Sequence, residues 1–295
     1  FDGCRLSRAT VHVYRHADPS HLESILREHR SGGRRAIILS DSLFSMDGDV
    51  APLGQLSDLA KRFDAGLFVG EAHALGVLGP SGRGLAAAVG VQPDVLVGTL
   101  GKSFGVAGAF VAGRDDLVSL VRNRARSFVY STAPPPLIAR AACAAIPLVE
   151  DADEPRRRLL NHASRLRAEL RALGFDVPDG ESQILPVLIG DNDRTMRLSA
   201  KLLDRGVFVQ GIRPPTVPVG TARLRLTPMA THRPEHIDRA LAAFAALAVL
   251  SLALAGCSDS PDADAGSTTT TSRPAPTATL TATTTLPLAA PTTAT

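Results

Sequence analysis

Two glycine-containing segments about thirty residues apart each place a reactive side chain after a run of apolar residues. His73 follows Leu67-Phe-Val69 in the segment Gly70-Glu-Ala-His-Ala-Leu-Gly76, and Lys102 lies in Thr99-Leu-Gly-Lys-Ser-Phe-Gly105. A lysine amine condenses with carbonyl groups, and an imidazole exchanges protons near neutral pH. Glycine neighbours let backbone approach a flat ligand closely. The pair predicts covalent and acid–base chemistry, with a surface lysine and a structural histidine as the alternatives.

Two phosphate-binding motifs are excluded at these glycines. A Walker A loop has a glycine six residues before its lysine, but Leu96 occupies that position. The glycines after His73 lack the strand-to-helix setting that a dinucleotide-binding loop needs.

The elements that must position His73 and Lys102 alternate between strands and helices, which predicts an α/β fold. Strands that are apolar on both faces indicate a mostly parallel sheet covered by helices. Ligands bind at the carboxyl ends of such strands, where His73, Thr99 and Lys102 fall. The predicted strands are Ala36–Leu39, Leu67–Val69, Val95–Val97 and Ala109–Ala112. The predicted helices are Ser20–Arg30, with Ser20 as N-cap and Glu23 completing a capping box, and Gln55–Phe63.

The pattern changes near residue 149 and predicts a smaller α+β domain. Its predicted helices are Pro155–Leu173, Arg194–Arg205 and a last one that begins near Pro234. Its predicted strands are Ile184–Ile189, Val207–Val209 and Arg223–Leu226. We therefore divide the chain into a partial large domain (1–148), a small domain (149–248) and a disordered tail rich in Ser, Thr and Pro (249–295).

Two further places carry side chains suited to ligand binding. Ser45 lies in the turn Leu43-Phe-Ser-Met-Asp-Gly-Asp49, whose alternative is a plain solvated turn. Arg223 and Arg225 are two residues apart on a predicted strand and so share a face. An arginine there could hold a substrate carboxylate with two hydrogen bonds, whereas a salt bridge is the structural alternative.

Composition narrows the class of protein. The chain has 295 residues and a net charge of +3, with no Trp and two Tyr, which argues against nucleic-acid binding. Cys4, Cys143 and Cys257 form no paired motif, which favours a reducing, cytoplasmic compartment. His232-Arg-Pro-Glu-His236 matches an inverted zinc-protease motif, but Pro234 puts it in the first turn of a helix, so we predict no metal site.

The tail allows two interpretations. Leu241 to Gly256 is almost purely apolar and ends at Cys257, in the form of a bacterial lipoprotein cleavage box, with Arg233 and Arg239 before it. In one interpretation, residues 234–250 simply form the closing helix of the small domain. In the other, a lipoprotein start is joined to the end of an enzyme, with membrane anchoring through Cys257 as the alternative localisation. The apolar stretch is short for a spanning helix, which needs roughly 20 residues.

From Asp2 to about Phe244 the sequence resembles the α-oxoamine synthases, a family of enzymes that depend on pyridoxal 5'-phosphate (PLP). The resemblance implies an α/β architecture, PLP-dependent transferase fold type I, and a homodimer. It implies that Lys102 carries the cofactor covalently and acts as acid and base at the substrate α-carbon. It implies that His73 and Ser45 contact the ring oxygen, Thr99 the phosphate, and Ser131 and Thr132 the phosphate bound by the neighbouring subunit. Thr216 and Arg225 are implied to bind substrate, Arg225 through the carboxylate.

The segment from Ile212 to Pro218, Ile-Arg-Pro-Pro-Thr-Val-Pro, resembles the oxononanoate synthases of biotin synthesis. That branch implies decarboxylative condensation of L-alanine with a pimeloyl thioester of coenzyme A or of acyl carrier protein (ACP). Alternatives are a glycine C-acetyltransferase, a 5-aminolevulinate synthase, an aminotransferase of the same fold, and a non-catalytic synthase fragment fused to a lipoprotein stalk.

Two departures from the family pattern predict impaired activity. Gly70 occupies the position where the family has an aspartate that pairs with the ring nitrogen. Glu71 is adjacent, but neighbouring residues of a strand face opposite ways. In addition, the resemblance begins after the family's cofactor-stacking histidine. We therefore expect the N-terminal third of the family's chain, with part of its sheet and phosphate-binding loop, to be missing from this sequence.

Overall fold

The structure, a computed structural model, describes residues 2–30, 35–255 and 282–285. The chain divides into two compact units. The first contains the described residues of Phe1–Ser45, Asp49–Arg156 and Ala278–Thr295, and the second those of Met46–Gly48 and Arg157–Thr277. The division falls at Arg156, within a long helix, rather than at residue 148.

The strands in chain order are β1 (Thr10–Val13), β2 (Ala36–Asp41), β3 (Ala65–Gly70), β4 (Val95–Thr99), β5 (Ala109–Gly113), β6 (Leu185–Gly190), β7 (Gln210–Ile212), β8 (Ala222–Leu226) and β9 (Ala282–Thr285). The helices are α1 (Asp2–Leu6), α2 (Pro19–His29), α3 (Leu53–Arg62), α4 (Leu85–Ala88), α5 (Asp115–Arg124), α6 (Arg126–Val129), α7 (Pro136–Glu150), α8 (Asp153–Ala172), α9 (Asn192–Asp204) and α10 (Pro234–Ala255).

The first unit contains a six-stranded sheet in the order β1-β9-β2-β3-β4-β5. β2, β3 and β4 are parallel neighbours, and β1 runs in the same direction because β9 is antiparallel to both β1 and β2. β5 is antiparallel to β4, so the prediction of a parallel strand is wrong there. The carboxyl ends of β2, β3 and β4 therefore lie at one edge of the sheet.

Alternating apolar residues fix which face of this sheet is buried. Ile38 of β2 and Val69 of β3 are wholly buried, and they share a core with Leu22 of α2 and Leu56 of α3. In a strand every second side chain points to the same face, so this alternation sets the register against the helices. Burying each such side chain stabilises the fold by about 2 kcal/mol.

The start of α2 differs from the prediction. Asp18, not Ser20, is the N-cap, and its side chain accepts a hydrogen bond from the backbone N–H of His21. Pro19 occupies the first helical turn, where proline is favoured because its missing N–H would have no helical partner. The predicted Ser20–Glu23 capping box is therefore wrong.

From β5 through α7 the first unit leaves its apolar residues exposed or half-buried. None of the residues of β5, α5, α6 or α7 is buried, although α7 is mostly apolar. The expectation that the run Ala109–Ala112 is covered on both faces is wrong for the part of the chain that the structure describes.

The second unit packs helices on a three-stranded antiparallel sheet in the order β6-β8-β7. Its core contains Leu185 and Val187 of β6, Leu224 of β8 and Phe244 of α10. The predicted strand Val207–Val209 is wrong: the backbone of Val207 bonds to Leu202 in the turn that ends α9, and the strand begins at Gln210.

The helix predicted from Pro234 is α10, which continues to Ala255. Among the described residues, no helix combines the length and the apolar character needed to cross a membrane. Cys257 and most of the predicted tail lie outside the described residues. Within that tail the structure places β9, a strand that the composition did not predict.

Candidate active site

The turn after β3 is anchored by a buried carboxylate. Glu71 has no exposed surface, and its oxygens accept hydrogen bonds from Ser42 Oγ at 2.7 Å, Leu85 N at 3.1 Å and Ala86 N at 2.6 Å. Ser42 follows β2, and the two amides begin α4, so Glu71 ties both to the end of β3. A Cβ on Gly84 would lie 2.7 Å from the Glu71 carboxylate, which favours glycine there. This anchor holds the backbone that presents His73.

His73 lies in a tightly hydrogen-bonded loop. The backbone N–H groups of Ala74 and Leu75 both donate to Glu71 O, at 3.1 and 3.0 Å. Ser103 Oγ donates to Leu75 O at 2.6 Å, which links this loop to the one that carries the lysine. Both loops are therefore fixed relative to each other by contacts within the first unit.

Lys102 lies in the loop between β4 and β5. Leu100 N donates to Gly108 O at 2.9 Å, and Gly105 N donates to Lys102 O at 3.1 Å. This loop brings Lys102 Nζ to 3.0 Å from His73 Nε2. The structure thus brings together the two residues that the sequence singled out, and Lys102 remains exposed to an incoming ligand.

Thr99 has a role within the same loop. Its Oγ1 donates to Gly108 O and accepts from Gly101 N, both at 3.3 Å. Both bonds are long, so the hydroxyl retains capacity for a stronger partner. Its predicted contact with a phosphate stays a prediction.

Asp41 is a site residue that the sequence analysis missed. It ends β2 and pairs in register with Gly70 of β3, so the two positions share a face of the sheet. A Cβ built on Gly70 would overlap Asp41 Oδ1 and lie 3.5 Å from Asp41 Cγ. The Asp41 side chain therefore fills the space that a side chain at position 70 would enter.

The carboxylate of Asp41 is partly exposed to solvent but poorly hydrated. It retains exposed surface at the end of its strand, yet the protein atoms packed around it displace water. Loss of hydration raises the pKa of Asp41 above its ordinary value of 3.8, and the positive charge of Lys102 partly opposes that rise. Asp41 and Lys102 thus belong to one electrostatic environment.

The remaining predicted residues of the first unit lie in turns. Ser45 is half-buried in the turn between Leu43 and Val50, which form an isolated bridge. Ser131 and Thr132 are exposed between α6 and α7, where Ser131 Oγ donates to Ser127 O at 2.5 Å. Their contacts with cofactor, in this subunit or a neighbouring one, stay predictions.

The two predicted substrate residues lie in the second unit. Thr216 is exposed, and its backbone N–H donates to Arg213 O at 3.1 Å. Arg225 on β8 is half-buried, and burial lowers the pKa of its guanidinium, which nevertheless stays charged at neutral pH. Arg223 is instead structural: it is buried, and its Nη1 donates to Asp47 Oδ1 at 2.5 Å and to Met46 O at 3.1 Å.

The donor set of the first unit fits PLP. The amine of Lys102 can bond covalently to an aldehyde, and it lies next to the imidazole of His73 and near the carboxylate of Asp41. An amine for the aldehyde, an imidazole for the ring oxygen and a carboxylate for the ring nitrogen are the groups that PLP requires. Glycine at position 101 leaves the wall beside Lys102 without a side chain. A Cβ on Gly101 would meet no atom closer than 3.7 Å, so the space beside the lysine is open.

Comparison with known proteins identifies similar chains. The sequence family described as aminotransferase class I and II matches residues 2–244. An 8-amino-7-oxononanoate synthase of Geobacter metallireducens is 47% identical over 250 residues, which cover 83% of this chain and 64% of that protein. One of Anaeromyxobacter dehalogenans is 50% identical over 246 residues, which cover 83% and 62%. The chain therefore spans less than two thirds of the length of these relatives.

Solved structures share the fold. A serine palmitoyltransferase from S. paucimobilis, solved with PLP bound to myriocin, superposes with a TM-score of 0.77 at 32% identity, covering 82% of this chain and 61% of that one. An 8-amino-7-oxononanoate synthase from Francisella tularensis superposes with a TM-score of 0.72 at 26% identity, covering 85% and 72%. The expected fold, PLP-dependent transferase fold type I, is confirmed.

Proposed function

We propose that this chain, which belongs to the class I and II aminotransferase family, catalyses a PLP-dependent condensation of L-alanine with a pimeloyl thioester. The products are 8-amino-7-oxononanoate, carbon dioxide and the free thiol of the acyl carrier. The observation that carries the proposal is the 3.0 Å approach of Lys102 Nζ to His73 Nε2 at the carboxyl ends of two parallel strands.

Bound PLP supplies an electron-withdrawing ring that stabilises negative charge at the substrate α-carbon. Lys102 would hold the cofactor through its amine and would carry a proton to and from the substrate α-carbon. His73 positions the Lys102 amine by hydrogen bonding and is placed to contact the ring oxygen. The Glu71 anchor keeps both loops in place during this exchange.

The family resemblance implies roles for further residues. Thr99 donates its hydroxyl to the cofactor phosphate, and Ser45 contacts the ring. Arg225 binds the carboxylate of the amino acid, and Thr216 contacts substrate. Ser131 and Thr132 bind the phosphate of the second subunit's cofactor in a homodimer.

The proposed substrates follow from the degree of similarity. Identity to the 8-amino-7-oxononanoate synthases of Geobacter metallireducens and Anaeromyxobacter dehalogenans is 47–50%. Identity is 32–33% to the serine palmitoyltransferase structures and 26% to the Francisella tularensis synthase. Both enzymes have α-oxoamine synthase chemistry, and the sequence similarity favours L-alanine and a pimeloyl chain over serine and palmitate. The proposed place of action is the cytoplasm.

Covalent labelling tests the proposal sharply, because the chain contains only three lysines, Lys61, Lys102 and Lys201. The full chain is incubated with PLP, reduced with borohydride, digested and mapped by mass spectrometry. We expect the pyridoxyl label on Lys102 and its loss in Lys102→Ala. Lys61→Ala, at an exposed helical position, is the matched control and should keep the label. Label confined to Lys61 or Lys201 contradicts the proposal.

Substrate choice is tested separately by release of carbon dioxide from carboxyl-labelled amino acids. With pimeloyl-coenzyme A present, we expect release from L-alanine to exceed release from serine or glycine at least tenfold. Equal release from serine would move the proposal to another branch of the family.

A further inference from the structure

The end of β2 holds a carboxylate that the proposed mechanism has not used. Among the described residues, no hydrogen bond or ion pair reaches the side chain of Asp41, whose backbone oxygen alone accepts a bond, from Ser40 Oγ. A poorly hydrated carboxylate without a hydrogen bond destabilises a folded chain, and the positive charge of Lys102 offsets only part of that cost. Such groups persist where a ligand supplies the missing partner.

The position of Asp41 identifies which part of a ligand it faces. Asp41 and Gly70 are register partners on adjacent parallel strands, and Asp41 Oδ1 occupies the space into which a side chain at position 70 would project. His73 and Lys102 stand beyond the carboxyl ends of the next two strands. The three side chains therefore line one edge of the sheet in the order carboxylate, imidazole, amine.

We propose that Asp41 supplies the carboxylate that pairs with the protonated ring nitrogen of PLP, in place of the side chain that Gly70 lacks. The inference rests on the proposed function, because it needs PLP at Lys102. A pyridinium nitrogen requires an anionic partner to keep its proton, and the ring attracts electrons strongly only in that form. Glycine at position 70 then leaves the space that the Asp41 carboxylate occupies.

This assignment changes the meaning of Gly70. An added aspartate at position 70 would overlap Asp41 Oδ1 and bring two carboxylates together. Like charges at such a distance raise the pKa of one of the pair, so the second carboxylate would not add a second negative charge. Moving the carboxylate, rather than adding one, is the informative change.

The test compares binding of PLP with binding of 1-deazapyridoxal 5'-phosphate, in which carbon replaces the ring nitrogen. Dissociation constants are measured by absorbance titration of the full chain. We expect the wild-type chain to bind PLP at least tenfold more tightly than the deaza analogue, since a charge-assisted bond is lost. Asp41→Asn should weaken PLP binding at least tenfold and change binding of the analogue less than twofold. Asp58→Asn, which removes an exposed carboxylate of α3, is the matched control and should change neither.

A relocation variant completes the design. Asp41→Ala combined with Gly70→Asp moves the carboxylate to the adjacent strand, β3, without bringing two carboxylates together. We expect this variant to regain at least half of the wild-type preference for PLP over the analogue, measured as the logarithm of the ratio of the two dissociation constants. If the wild-type chain binds both molecules equally, or if Asp41→Asn weakens both equally, Asp41 does not contact the ring nitrogen. Label on Lys102 together with either of those results would overturn this inference and leave the proposed function standing. Absence of label on Lys102 would overturn both.

Discussion

Replacing Glu71 with alanine is expected to destabilise the first unit by about 3 kcal/mol or more. The substitution leaves Ser42 Oγ and the backbone N–H groups of Leu85 and Ala86 without their acceptor. Each buried donor that loses its partner costs about 1–3 kcal/mol. Relief from holding a buried charge offsets part of this sum, so the lower end of the range applies.

The measurement is urea unfolding of the full chain followed by circular dichroism, with the midpoint and slope compared between variants. Glu71→Gln keeps the shape and one acceptor oxygen, and we expect it to cost about half as much as Glu71→Ala. Glu28→Ala removes a helical glutamate whose side chain is 73% exposed, and should stay within about 0.5 kcal/mol of wild type.

The same variants test how the anchor acts on the site. Because the Glu71 side chain anchors the end of β3, where the loop that carries His73 begins, we expect Glu71→Gln to weaken PLP binding under conditions where the chain is still folded. A decrease in the free energy of unfolding of less than about 1 kcal/mol for Glu71→Ala would refute the reasoning. Three buried donors without an acceptor cost more than that unless water replaces the carboxylate.

Three further predictions concern packing, an ion pair and pH. Gly98→Ala would put a methyl group 2.5 Å from a ring carbon of Phe110, and we expect a loss of about 1–3 kcal/mol in urea unfolding. Arg223→Met should cost about 3 kcal/mol, measured the same way, because Asp47 loses its buried partner; no loss would show that the pair is dispensable. Folding raises the pKa of Asp41, so the folded state binds the proton more tightly than the unfolded state, and stability falls as pH rises through that raised pKa. We therefore expect Asp41→Asn to raise the melting temperature of the cofactor-free chain at pH 7. This gain should disappear below about pH 4, where Asp41 is protonated in both states. An equal gain at pH 7 and below pH 4 would contradict this prediction.

The structure brings His73 and Lys102 together because each follows a strand that begins with an apolar run, and parallel strands bring their carboxyl ends together. Their roles as site residues stay predictions. The sequence analysis missed Asp41 for a related reason. The predicted strand stopped at Leu39, where the apolar run ends, but the strand continues through two polar residues. Polar residues at a carboxyl end extend the strand into the site, and a pattern of apolar residues alone cannot reveal that extension.

Other differences have local causes. Val207 to Val209 has strand-like composition, but the chain must first close the C-terminal turn of α9, so Phe208 is left 75% exposed and the strand starts later. Ala109–Ala112 was located correctly but was wrongly expected to be buried. An apolar run predicts a strand, whereas its burial depends on what packs against it, and the run itself does not specify that partner.

The three residues Met46 to Gly48 make the folding of the second unit depend on a distant part of the chain. They follow Ser45 of the first unit, yet Ser182 Oγ donates to Gly48 O and Arg223 pairs with Asp47. These partners are separated by 134 and 176 residues, so the turn gains its stabilising contacts only after most of the chain has left the ribosome. Cutting the chain after Arg156 would therefore not release a self-sufficient C-terminal fragment, because that fragment would lack this early turn and keep Arg223 without its counter-ion.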